Sequence, residues 1–100
     1  IPTTEARPGE RRIPGLGMLV SGFETSPFGI EWMRFEPDSP VHELIQRLPH
    51  LAFVVDDLDA ALDGFEQLGP PTSPMEGIRV AMIVHDGAPI ELMELRPDSR

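Results

Sequence analysis

Pro49-His50-Leu51-Ala52-Phe53-Val54-Val55-Asp56-Asp57-Leu58-Asp59-Ala60-Ala61-Leu62 is the stretch on which the fold turns. It predicts a strand that runs straight into an amphipathic helix. Residues 51–55 are all apolar, and a short run of this kind suits a strand covered on both faces. Asp56 or Asp57 stands where a helix N-cap belongs, and Asp59 adds negative charge to the first turn. Leu58, Ala61, Leu62, Phe65 and Leu68 follow at helical spacing. They predict a helix over 57–68, ended by Gly69 before Pro70 and Pro71. Alternation puts His50 on one face with Ala52 and Val54, and Leu51, Phe53 and Val55 on the other.

On both sides of this stretch the chain reads as short strands. Downstream, 69–76 is a loop broken by proline and glycine, and 78–85 is a strand. Asp86-Gly87 is a strong hairpin-turn signal, and 89–95 is the returning strand. Residues 96–100 read as a frayed tail. Upstream, 1–4 read as the tail of a strand and 5–14 as an irregular connection. Strands are expected at 16–23 and 30–36, then a bridging helix over 41–48 with Ser39 as its cap. The fold class is α+β in a single domain over 1–100, with a first module at 1–36, a linker helix at 37–48 and a second module at 49–95. The halves resemble each other. Ile30-Glu31-Trp32-Met33 matches Ile90-Glu91-Leu92-Met93, and Met18-Leu19-Val20 matches Met82-Ile83-Val84.

Composition narrows the function classes. The chain has 100 residues, with 17 acidic against 8 basic side chains and a net charge of −9. Every basic residue is arginine. This balance argues against nucleic acid or an anionic membrane as partner. No apolar run approaches the length of a membrane span. With no cysteine there are no disulfides and no thiolate metal ligands. A cytoplasmic location is the default expectation.

Three residues stand out as candidates for chemistry: Glu31, His50 and Glu91. Glu91 shares a strand face with Met93 and Leu95, and Glu31 shares one with Met33 and Phe35. A carboxylate on a largely apolar face needs a cation, a hydrogen-bond donor or solvent. A metal shared with His50 would supply the cation, and one imidazole with two carboxylates suits zinc, iron, nickel, cobalt or manganese. A histidine before an apolar strand is more often structural, and a glutamate in an alternating strand more often faces water. The repeat favours the ligand reading, because it sets Glu31 and Glu91 at equivalent positions. His85 and His42 read as exposed. Arg79 either neutralises an anionic ligand or lies at the surface, and the surface is the commoner place for arginine. Met18, Met33, Met82 and Met93 read as core, although methionine also suits adaptable apolar pockets.

The segment 49–62, together with Pro89-Ile90-Glu91-Leu92-Met93 and Ile30-Glu31-Trp32-Met33 followed by Asp38-Ser39-Pro40, resembles the vicinal oxygen chelate superfamily, the glyoxalase and bleomycin-resistance fold. The resemblance covers most of residues 16–95. It implies paired βαβββ modules whose mixed sheets curl around a divalent metal. It also implies His50, Glu91 and Glu31 as metal ligands, with the fourth ligand position falling before Ile1. The broken segment 5–14 departs from the pattern, so the first module is expected to lack its helix. That leaves Trp32 on a bare face and points to a homodimer.

The resemblance supports three functions. The first is a metal-dependent lyase, isomerase or epimerase acting by proton transfer on a small molecule with adjacent oxygens, Glu91 serving as catalytic base. The second is a metal-free small-molecule binding or drug-sequestering protein of the same fold. The third, a ring-cleaving dioxygenase, is disfavoured by the extra carboxylate Glu31.

Overall fold

The computed structural model describes residues 1–96. The remainder of the expected tail, 97–100, lies outside the described residues. The chain is α+β and divides into two compact units, Ile1–Pro49 and the chain from His50 onward.

The first unit is a three-stranded antiparallel sheet, β1 (Arg11–Ile13), β2 (Met18–Ser21) and β3 (Trp32–Phe35), in that order. β3 is followed by the short helix α1 (Glu43–Arg47). Val20 stands opposite Met33 and Met18 opposite Phe35. Met18, Val20 and Met33 are buried, as is Ile45 of α1. The residues 1–3 run parallel to β3, with Pro2 bridged to Met33. Evenly spaced bonds tie them there: the Thr3 N–H donates to the Met33 carbonyl at 2.8 Å, and the Met33 N–H to the Ile1 carbonyl at 2.9 Å.

Three expectations for this half are corrected. The connection 5–14 is not wholly irregular, because Arg11–Ile13 pairs with β2. The cap of α1 is His42 rather than Ser39; the His42 Nδ1 accepts from the Leu44 N–H at 3.1 Å. Ser39 instead donates to the Leu16 carbonyl at 2.6 Å. The face of Trp32 and Arg34 is not bare. The Arg7 guanidinium lies 4.7 Å from the Trp32 ring centroid, a cation–π contact. Glu10 takes both ends of Arg34 at 2.7 and 2.8 Å. That pairing holds the Glu10 carboxyl below its usual range. Gly22, at φ +92°, fits beside this indole because a Cβ there would come within 3.0 Å of Trp32 Cδ1.

The second unit follows the order strand, helix, then four strands. These are β4 (Leu51–Val54), α2 (Leu58–Leu62), β5 (Glu66–Gln67), β6 (Thr72–Met75), β7 (Ile78–His85) and β8 (Ala88–Leu95). The sheet is ordered β4-β8-β7-β5, with β6 also on β7. β4 runs parallel to β8, and the other pairings are antiparallel. The hairpin of β7 and β8 turns on Asp86 (φ 51°) and Gly87 (φ 81°), both left-handed as a two-residue primed turn requires.

One face of this sheet is dry and the other is not. Ala81, Ile83 and Leu92 are buried with Leu58 and Leu62 of α2, and Val55, Ala61 and Ile90 pack at the margin. Cross-strand partners share a face. The pairs Val80–Met93, Met82–Glu91 and Ala52–Glu91 therefore lie on the opposite side. Every residue of those three pairs is half-buried or exposed.

Two further expectations fail here. The run 51–55 is not covered on both faces. β4 is an edge strand, with Leu51, Phe53 and Val54 exposed by 66%, 49% and 61%. The helix stops at Leu62, not Leu68, because Gly64 turns the chain at φ +84°. Glu66–Gln67 then joins β7 as a strand. The expected loop 69–76 also contains β6, whose Pro74 is tolerated on an outer strand.

The repeat is refined by register. With Met33 equated to Met93, Val20 corresponds to Val80, since these are their respective partners. The match of Met18-Leu19-Val20 to Met82-Ile83-Val84 is therefore four residues out of register.

Candidate functional site

His50 and Glu91 are brought together although they are 41 residues apart. The His50 Nε2 and the Glu91 Oε1 are separated by 3.1 Å. The cause is the parallel pairing of β4 with β8, which sets Ala52 opposite Glu91 and leaves His50 one step diagonal to it, on the same face. The histidine side chain is 11% exposed and the glutamate 24%. Nε2 faces the carboxylate, and the other ring nitrogen is the His50 Nδ1. That atom is buried and has no hydrogen-bond partner. The second Glu91 oxygen makes no hydrogen bond among the described residues. One oxygen is thus held by the imidazole and the other is available to a ligand.

Glu31 lies in the first unit, immediately before β3, and its backbone carbonyl accepts from the Ile1 amine at 2.7 Å. Among the described residues, no group of three or more His, Cys, Asp or Glu side chains is arranged to hold a metal ion. His50 and Glu91 do suit one as a pair. Two donors each about 2.1 Å from a shared ion, at the tetrahedral angle, stand about 3.4 Å apart, close to the 3.1 Å seen here. If Nε2 gave its lone pair to a cation, its proton would move to Nδ1, which meets no acceptor among the described residues. The two facing atoms fit an ion, while the Nδ1 side lacks the acceptor that a ligating imidazole ordinarily meets.

The other candidates are placed as follows. His85 is exposed and meets Phe65 edge-on at 5.6 Å. His42 is exposed and caps α1. Arg79 lies on the helix-covered face, opposite Glu94 in register, and pairs with Asp59 at 3.2 Å and Glu94 at 3.6 Å. The four methionines divide: Met18 and Met33 are core, while Met82 and Met93 are half-buried on the face of Glu91.

Glu94 was not anticipated from the sequence. It is 3% exposed and accepts from the Leu58 N–H at 2.9 Å, and it pairs with Arg96 and Arg79. The Leu58 hydrogen bond first, then Arg96, lower its carboxyl below the usual range. A signal existed in the alternation of β8, which puts Glu94 with Ile90 and Leu92 on the covered face. A charge there needs partners. Its role is to tie α2 to the sheet, away from the pair of His50 and Glu91.

No protein-family model, curated protein or solved structure matches the chain.

Proposed function

We propose that the chain is a metal-dependent enzyme of the vicinal oxygen chelate kind, acting by proton transfer on a small molecule with adjacent oxygens. The observation that carries this reading is the 3.1 Å approach of His50 Nε2 and Glu91 Oε1. A divalent ion held by His50 and Glu91 would supply Lewis-acid polarisation of the substrate oxygens. Glu91 acts as base. Its Oε1, 3.1 Å from His50 Nε2, would stay beside the ion, and its other oxygen would take the carbon-bound proton. The half-buried strand face around it limits water, which favours proton transfer to and from a carboxylate. The order strand–helix–strands of the second unit, with its first and last strands parallel, supports the glyoxalase-like reading of the fold. The parallel bridge of Pro2 to Met33 supports the same reading for the reduced first unit.

The test is metal content. The full chain is purified without chelator and its divalent metals are counted by mass spectrometry, beside His50→Ala and Glu91→Ala. About one ion per chain, lost in both variants while circular dichroism is unchanged, is the expected result. No ion after reconstitution with zinc, nickel, cobalt, manganese or iron overturns the proposal.

The apolar surroundings of Glu91 favour, as a second reading, a metal-free binder of small molecules. A homodimer belongs to either reading. The exposed Leu51, Phe53 and Val54 of β4 are the surface it would cover, and sedimentation velocity tests it. Among the described residues no helix is long and apolar enough to cross a membrane.

A further inference from the structure

We infer that the ligand taken beside Glu91 has an uncharged, apolar body, its polar atoms confined to the end that meets His50 and Glu91. This rests on the reading of that face as the site.

Two observations carry it. The first is what flanks Glu91 on its own sheet face. Met82 stands opposite it on β7 and Ala52 on β4, while Val80 pairs with Met93 one step along. No arginine shares this face in the second unit among the described residues. Arg79 alternates onto the helix-covered side, where Asp59 and Glu94 engage it, and Arg96 lies beyond β8 against Glu94.

The second observation is how the remaining cations are used. Arg12 is paired with Glu36, Arg34 with Glu10 and Arg47 with Glu43, and Arg7 lies over Trp32. Among the described residues Arg11 alone has no such engagement, and it is exposed on β1. In a chain of net charge −9, every arginine but Arg11 among the described residues is committed to an acidic or aromatic neighbour. A phosphate, a nucleotide-bearing thioester or a second carboxylate laid along Met82, Met93 and Val80 would lose water and gain no cation. An apolar body loses no such hydration, and the thioether side chains adapt to its shape.

The experiment uses full-length protein labelled with 13C at the methionine methyls, with Met82 and Met93 assigned through Met82→Leu and Met93→Leu. Two probes are titrated: 1-phenylpropane-1,2-dione, which is neutral, and its ring para-carboxylate, whose charge sits far from the adjacent oxygens. Each titration is run with a divalent ion and after chelator treatment. The dione is expected to shift the Met82 and Met93 methyls, with the carboxylate binding roughly tenfold more weakly or worse. Equal or tighter binding of the carboxylate overturns the inference. So do shifts confined to Met18, Met33 and Met75, or no shift with either probe. Failure of the metal reading shows separately, as no ion bound while the preference for the neutral probe persists.

Discussion

Leu51 and Leu58 are seven residues apart in one apolar stretch, and truncating each to alanine separates two pictures of it. Leu58 is 0% exposed, at the centre of the cluster with Leu62, Ala81, Ile83 and Leu92. Removing its three terminal carbons forfeits their transfer energy and leaves a cavity, about 3 kcal/mol together in a core of this kind. Leu51 is 66% exposed, so about a third of a full burial energy of roughly 2 kcal/mol is at stake, near 0.7 kcal/mol. With a urea m-value of about 1.5 kcal/mol/M, Leu58→Ala should lower the midpoint by about 2 M and Leu51→Ala by about 0.5 M. Urea titration followed by circular dichroism at 222 nm measures both. Equal losses would refute the reasoning, for they would mean that β4 is covered in solution as thoroughly as α2. Repeating the titration at several protein concentrations would then show whether a second chain supplies the cover.

Three further outcomes follow from the geometry. Glu94 has its carboxyl held below the usual range by the Leu58 N–H, Arg96 and Arg79, so its stabilisation is present above that range and lost as pH falls through the lowered value. Glu94→Gln should therefore be less stable than wild type at pH 7, with the gap closing in acid; a gap independent of pH would sink this account. Asp57 caps α2 by accepting from the Ala60 N–H at 3.2 Å, and Asp57→Ala should lose about 1 kcal/mol in the same urea assay while Asp56→Ala loses little. Gly87→Ala places a side chain at φ 81° with nothing within 4 Å of its Cβ, so backbone strain alone should lower stability by about 1 kcal/mol, and Asp86→Asn should be near neutral.

Much of the second half is legible in the sequence. The alternation and turn chemistry of 78–95 are local, and β7, the Asp86-Gly87 turn and β8 fall within a residue of expectation. Local steric preference and hydrogen bonding settle such a hairpin without help from the rest of the chain. The glycine at position 64 was also readable, but the apolar spacing of Phe65 and Leu68 pointed the other way. The pairing of β5 with β7 prevailed, because strand bonds to a neighbour outweigh one more turn of an exposed helix.

The sequence by itself determined the α+β class, the main strands, the helix start at Asp57 and the candidacy of His50 and Glu91. Each depends on residues close along the chain, or on an alternation that fixes which side chains share a face. Only the tertiary structure decided that β4 is an edge, that Glu94 is a buried tie and that Arg79 belongs to the helix side. The same holds for the 3.1 Å approach of His50 and Glu91. An apolar run states a preference for burial but not what is available to cover it. A diagonal contact between residues 41 apart exists only because parallel pairing fixes the register of β4 against β8.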